Sequence, residues 1–513
     1  MKGTFKPKII LLLVAVAMQV SAVIIPLSGS LSHSYAASLD KTASRSVKRT
    51  YNLPPKTKNY VVPQKVSTST KPQVKGTGFG SVPYLPGPSH HVNIPSPRNV
   101  VRVPAPKGRH LATNATFEGQ SEHGWQPSDS NGAGGLNNYI ETVNEQWTVY
   151  SPDGTQQYGT TFDTWFGSPA GTNLFDPVVQ WDNAGSRFMF IVDTGSSLLL
   201  SVAQQTSALG NYCNYTFTTP SGYFADYEKL GVDGDGVYFS VNLYLNDSNG
   251  PFSTNELFFV NRTQLETCAT ASTSSWQDLK NPDGSTAFAI VPARQDSSSN
   301  GIEYLVNSYN GGACQLTLWQ LTSSGLLSNN TVNPQCYSPP PPAKQKGSNV
   351  RIAVGDNRLY QANFLDGMLT LNTVGSHDFG DGNGPVSIIE WFVLNASAGS
   401  VSSQGTFGTS GYWLFYPTTI RNSAGNMLFV YDVSGDTIYP SISYVDQTLS
   451  NPQMLASGAS FYIVVDKSGT ARWGDYSSAW LDPNPAQANS VWITSQYAKA
   501  TNSWGTKVGN ITP

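Results

Sequence analysis

The chain has 513 residues, of which 39% are hydrophobic and 12% charged, and its formal net charge is −3. The charge is unevenly spread: residues 37–110 hold thirteen Lys and Arg against Asp40 alone, whereas residues 111–513 hold fourteen against thirty-two Asp and Glu. The acidic bulk argues against a nucleic-acid partner, and no stretch beyond the N-terminus is long and apolar enough to span a bilayer.

In chain order, residues 1–36 read as a secretory signal peptide. Lys2, Lys6 and Lys8 precede an apolar run over residues 9–18, and Ser34-Tyr-Ala36 offers small residues for cleavage after Ala36. The rival is an uncleaved anchor helix, which Gln19, Ser21 and Pro26 weaken. Export is therefore expected, to the extracellular space or the cell surface. Residues 37–110 form a basic, Pro-rich arm without tryptophan. Such a segment buries too little apolar surface to offset its chain entropy, so an extended or disordered arm is expected. Its charge suits an anionic cell wall or membrane surface, and equally a spacer or an arm laid on its own acidic domain.

From residue 111 to 513 one pattern recurs about seven times: a short leading strand, a polar turn, then a strongly β-forming strand. Copy one starts at Asp129-Ser-Asn-Gly-Ala133, copy two at Asp176-Pro-Val-Val179 and copy three at Asp226-Tyr-Glu-Lys-Leu-Gly231. Looser copies start at Phe288, Val350 and Tyr416, and the last starts at Asp475. Repetition at roughly 40–60 residues in an all-β chain points to blades of a β-propeller. The expected fold is all-β, a single seven-bladed propeller of four-stranded antiparallel blades. After the strand at Val491–Ser495 only one more is available, near Trp504–Val508, so the last blade lacks a strand. Residues 112–117 are placed to supply it, joining the two ends of the chain and removing exposed sheet edges.

Four cysteines in an exported chain imply two disulfides, and four allow three pairings. Cys314 with Cys336 closes a hairpin-sized loop, and Cys213 with Cys268 spans neighbouring strands; this is the pairing we expect. No Cys-x-x-Cys spacing occurs, which argues against zinc and thioredoxin-like chemistry.

The blocks Phe117-Glu-Gly119, Asp129-Ser-Asn-Gly-Ala133, Asp176-Pro-Val-Val179, Asp226-Tyr-Glu-Lys-Leu-Gly231 and Arg472-Trp-Gly-Asp-Tyr-Ser-Ser478 resemble those of a group of uncharacterised exported bacterial β-propeller proteins. More distantly the blades resemble sialidase-type repeats, although the Ser-x-Asp-x-Gly-x-x-Trp box does not form a regular series here. The resemblance implies a fold and an extracellular address rather than a reaction.

No catalytic residue is assigned from the sequence. Asp193-Thr-Gly-Ser-Ser197 looks like an aspartic-protease loop, but no second copy exists to complete the two-carboxylate dyad, so a hairpin turn is expected there. The region beyond residue 110 has only His123 and His377 and no Gly-x-Ser-x-Gly elbow, which leaves nucleophilic triads without parts. Four copies begin with an acid, Asp129, Asp176, Asp226 and Asp475, and a partial acidic ring at one channel rim is expected, with Arg358 and Arg472 as charge partners. Such a ring suits a cation or a cationic ligand, and calcium is the one cofactor considered. Alternative calcium loops are Asp233-Gly-Asp235 and Asp378-Phe-Gly-Asp381. A glycosidase pair drawn from Asp176, Asp226, Glu228, Asp356 and Asp475 requires two carboxyls facing one cleft, which spacing along the chain does not reveal. The leading expectation is a monomeric binding module for a glycan or other cell-wall polymer, since Trp and Tyr are abundant and suit sugar stacking. The alternatives are a glycan hydrolase with its carboxylates at the channel mouth, and a structural envelope protein.

Overall fold

The computed structural model describes residues 47–55, 57–60, 80–81, 99–106, 111–169, 172–309, 314–325 and 327–513. The expected signal segment lies outside these residues. Strands dominate, and the helical elements among the described residues are Phe162–Phe166, Arg262–Glu266 and the single turn Pro485–Gln487. None is long and apolar enough to cross a membrane.

Hairpin-linked meanders follow one another along the chain. The first runs through Asn131–Gly134, Tyr139–Val143, Gln146–Tyr150 and Gln156–Thr161. The second runs through Phe175–Asp182, Arg187–Asp193, Ser197–Ala203 and Asn211–Thr218. Three more sheets of the same kind begin at Val291, Tyr412 and Ser478. The strands that open these meanders pack against one another in a cycle, which sets them around a central channel. The chain is thus an all-β propeller with four-stranded blades.

Five blades stand as discrete sheets, not the seven separate ones the repeats suggested. The meander of copy three, Tyr223–Gln277, and that over Ala362–Gly408 belong to one eleven-stranded sheet; the strand at Val350, expected to open copy five, instead pairs with Ala343–Gln345 in a separate hairpin, so that blade opens at Ala362. The bridge is the two-residue strand Arg294–Gln295, which pairs in parallel with Val232 on one side and with Asn363 and Phe364 on the other. Copy four causes this. Its leading strand holds its own blade only at Val291–Pro292, and beyond Ala293 the backbone turns its hydrogen bonds to the neighbours. Parallel pairing of this kind leaves no alternation for a sequence pattern to show.

The ends close as their strand count required. Ala112–Ser121 lies antiparallel to Ser503–Thr512, with Val508 opposite Phe117. Phe117 packs its ring 5.1 Å from Tyr150 and 6.4 Å from Trp492, tying the first blade to the last. Both disulfides form with the expected pairing, at Cα–Cα distances of 5.7 Å for Cys213–Cys268 and 4.1 Å for Cys314–Cys336.

The arm departs from the expectation of disorder wherever it is described. Val47–Leu53 extends the outer edge formed by Ala271–Gln277, and Thr57–Tyr60 does the same for Asn211–Thr218. Val100–Arg102 runs parallel to Ser400–Gly408, and Gly80–Ser81 pairs with Trp125–Gln126. These pairings use backbone groups, to which a composition rich in charge and proline is no obstacle outside the prolines themselves. Lys48 lies 5.3 Å from the centre of the Trp276 ring, and Arg102 lies 4.7 Å from that of Phe379.

Candidate functional site

The leading strands share a distortion. Asp129, Asp176, Tyr227, Ala289 and Tyr416 all have positive φ, between 45° and 61°, at the start of their blades. The pairing register slips at the same places, between Phe175 and Val178, Asp226 and Lys229, and Phe415 and Thr418. Non-glycine residues adopt this backbone only where the surroundings enforce it. A bulge re-aims side chains that a regular strand would send alternately to its two faces. Here the consequence is a set of charged and phenolic groups gathered at the leading mouth of the channel.

Asp129 and Asp176 are fully buried, and Asp226, Arg358, Arg472 and Asp475 are at most 7% exposed. Carboxylate oxygens of Asp129, Asp176 and Asp475 lie within 4.8 Å of one another; Asp226 is outside this triad. Asp129 Oδ1 accepts from the Asp475 backbone N–H at 2.8 Å, and its Oδ2 accepts from Asn144 Nδ2 at 2.7 Å. Asn144 Oδ1 in turn accepts from the Asp176 N–H at 2.8 Å, so one relay links the last, first and second blades. Asp176 Oδ2 accepts from the Tyr476 hydroxyl at 2.8 Å. Arg472 grips Asp475 with two bonds of 3.0 and 2.8 Å, and Arg358 grips Asp356 with two of 2.8 Å.

Three residues of this mouth were not singled out in the sequence. Lys229 Nζ sits 3.9 Å from the Tyr227 ring centre and 3.7 Å from that of Tyr476, and the two rings stack at 5.4 Å. Both tyrosines directly follow a blade-leading aspartate, Asp226 and Asp475, and that repeated Asp-Tyr was the available signal. Lys229 had none, because inside Glu228-Lys-Leu-Gly231 a lysine reads as an ordinary solvent-facing strand position.

Burial dominates the electrostatics. Desolvation pushes Asp129 up to about 6, against the pull of Arg472. It pushes Asp176, Asp226 and Glu228 well above the carboxylate range, and neighbouring acids push further. Lys229 is brought down to about 7 by the same loss of water, with Asp176 opposing. Elsewhere in the core, burial raises Glu141 and Asp193 to about 7 and Glu390 and Asp432 to about 8. An acid whose folded value exceeds its unfolded one, near 4, binds more protons folded than unfolded. Its contribution is therefore greatest below pH 4 and is lost as pH rises through the folded value. Lys229 works in the opposite sense, adding stability as pH rises above about 7. In chelator-treated buffer the unfolding free energy is expected to fall between pH 5 and pH 8, read from urea midpoints. A flat or rising profile contradicts this.

The remaining expected site residues are held in turns, Asp193 near enough for its charge to act on Asp226 and Glu228. Asp193 ends a strand; its Oδ1 accepts from the Gly195 N–H at 2.6 Å, and Gly195 takes φ 82° in a tight turn to Ser197–Ala203. Asp233 Oδ1 accepts from the N–H groups of Asp235 and Gly236 at 2.8 and 2.7 Å. Asp378 and Asp381 accept from Gly380 and Asn383 in an exposed loop. Each of these carboxylates holds its own turn in shape.

At the far ends of the leading strands, roughly 20 Å from Asp176 by strand rise, the surface opens. One cavity of about 350 Å³ is lined by Asp182, Asp233, Asp235, Gln295, Asp296 and Ser299 among others. A second of about 360 Å³ adds Phe259, Asn261, Gln264 and Ser274, and the two share Gly234 and Asp235. Together they form a polar groove across the ends of several blades. Tryptophan takes no part in it: eleven of the twelve are buried, and Trp391 is half-buried.

No family model matches the sequence, and no curated protein does. Among solved structures the chain is similar to the Dos1 propeller, with 9% identity, a TM-score of 0.36, and coverage of 72% of this chain and 75% of that one. It is similar to a Trypanosoma rangeli sialidase mutant with trans-sialidase activity, at 9% identity and a TM-score of 0.34, covering 70% and 56%. It is also similar to the Bacillus subtilis arabinanase Arb43A, at 16% identity and a TM-score of 0.28, covering 54% and 96%. Likeness at this level says nothing of activity, and the fold rests on the strand pairing described above.

Proposed function

We propose that the chain is an exported, monomeric binding module for a glycan or related cell-wall polymer, held by the polar groove at the trailing rim of a seven-fold ring. In this reading copies three and five count as separate blades although Arg294–Gln295 fuses their sheets. The observation that carries the reading is the groove itself: two adjoining cavities lined by carboxylate, amide and hydroxyl groups, with Phe259 as an apolar face. Those groups match the alternating donors and acceptors of a polyol, and a half-buried aromatic gives one sugar ring a surface to rest on.

The geometry weighs against hydrolysis at the leading mouth. A glycosidase needs two carboxyls reachable by a substrate and a water molecule. Asp176, Asp226 and Glu228 are at most 4% exposed, so a sugar does not reach them without the blades parting. Where the basic arm is described, Lys48, Arg49 and Arg102 are exposed on blade edges, a charge that suits an anionic polymer surface.

A glycan array screened with the full chain should return binders, and titration calorimetry should place their affinity. Asp235→Ala, at the junction of the two cavities, is expected to weaken binding at least tenfold with the melting temperature unchanged. An empty array, or binding indifferent to Asp235, removes the groove from consideration.

A further inference from the structure

We propose that the leading mouth binds one calcium-sized divalent cation between the carboxylates of Asp129, Asp176 and Asp475. This site is separate from the trailing groove, and neither reading depends on the other.

The three residues come from the first, second and last blades and meet only because the ring closes. Their oxygens lie within 4.8 Å of one another. Two ligands on opposite sides of a Ca²⁺ ion, each at 2.3–2.6 Å, stand about 4.6–5.2 Å apart, so a single ion bridges this spacing. The donor set is oxygen only, with neither imidazole nor thiolate, which selects a hard cation over zinc or copper. The existing hydrogen bonds leave lone pairs for it. Asp129 takes one donor on each oxygen, and Asp176 takes Tyr476 on Oδ2 while its Oδ1 has no partner among the described residues.

A second observation comes from a residue outside the triad. Glu228 is fully buried, and neither of its carboxylate oxygens has a hydrogen-bond partner among the described residues. It lies close enough to Asp176 and to Tyr476, which holds Asp176, for the charges to act on one another. A buried carboxylate with both oxygens unpartnered is expensive to keep, and a bound ion is one of the partners that relieves it.

The charge count points the same way. Asp129, Asp176, Asp193, Asp226, Glu228, Asp356 and Asp475 share this region with Lys229, Arg358 and Arg472, seven acids against three bases. Arg358 and Arg472 grip Asp356 and Asp475 and also act on Asp226, and Arg472 acts on Asp129 as well. Acids still outnumber bases by four. One divalent cation removes two of the four excess negative charges; the competing solution is uptake of protons.

The test uses the full chain stripped with a chelator and held at pH 8, where protons compete least. Terbium is the probe, because a nearby tyrosine sensitises its luminescence and Tyr476 is bonded to a proposed ligand. One equivalent of terbium should light up on tyrosine excitation and be displaced by Ca²⁺. Ca²⁺ alone should raise the melting temperature by several degrees. Asp176→Asn should lose at least tenfold in affinity while melting cooperatively without metal, since it removes a repulsive charge; Asp129→Asn serves should that variant not fold. Asp378→Asn should bind as the parent does. Absence of both signal and melting shift in the parent chain overturns the proposal. So does a signal that survives Asp176→Asn and Asp129→Asn, or one lost in Asp378→Asn.

Discussion

Replacing Arg472 by Met should lower the unfolding free energy at pH 8 by about 3–5 kcal/mol, the range for removing one partner of a buried ion pair. Arg472 is 3% exposed and donates two charge-assisted bonds to Asp475. It also holds down the proton affinity of Asp129, which desolvation would otherwise push further up. Methionine fills much the same volume, so packing changes little and the effect isolates the charge. Without the guanidinium, Asp129, Asp475 and Asp176 face one another with one cation fewer to offset them. At pH 5 the loss should shrink, because burial pushes Asp129 up to about 6 and loss of Arg472 pushes it further, and protonation relieves the repulsion. Urea midpoints at the two pH values give the comparison. Arg351→Met, at an exposed position 5.8 Å from the Trp413 ring centre, is the control and should stay within about 1 kcal/mol of the parent. A loss at Arg472 no larger than at Arg351 would show that the mouth is wet enough to screen its charges.

How far such a site is legible in a sequence depends on what kind of order carries it. The blade-leading acids were visible because a repeat places equivalent residues at equivalent heights, so Asp129, Asp176, Asp226 and Asp475 had to share a rim. Which of them touch was not visible. Convergence of Asp129, Asp176 and Asp475 depends on left-handed residues that bend each strand and on the order of blades around the ring, and neither leaves a residue pattern. Arg294 shows the same limit. It is buried, paired to Asp296 at 2.9 Å and stacked 4.9 Å from Trp480, in a segment that reads as an irregular copy. The missing strand of the last blade was legible because strand counting is arithmetic. The ordered arm was not, because edge pairing is written in backbone groups that every residue but proline carries. Abundant Trp and Tyr suggested stacking platforms, yet eleven of the twelve tryptophans are buried.

Ring closure makes the other large prediction, and it separates two roles of the N-terminal residues. A chain starting at residue 111 keeps Ala112–Ser121 and with it the clasp on Ser503–Thr512. Among the described residues it loses the strands that cover the outer edges at Asn211–Thr218, Ala271–Gln277 and Ser400–Gly408, and the short pairing of Gly80–Ser81 with Trp125–Gln126. Such a chain should still unfold in one cooperative transition. Its bare edges should make it self-associate with rising concentration, since unpaired strand edges template pairing with other chains. A chain starting at residue 122 loses the clasp itself. Ser503–Thr512 then becomes a long open edge, and the aromatic contacts of Phe117 with Tyr139, Tyr150 and Trp492 disappear. Blades of a closed ring stabilise one another through both neighbours, so opening it at one joint leaves the first and last blades with one neighbour each. That chain should show no cooperative melt. Phe117→Ala in the full chain probes the same joint more gently and should lower stability by about 3–5 kcal/mol, the usual loss for a buried phenylalanine. Calorimetry and sedimentation of the three proteins distinguish the roles. Equal melting of the two truncated chains would mean that the clasp contributes nothing and that the ring holds by blade packing alone.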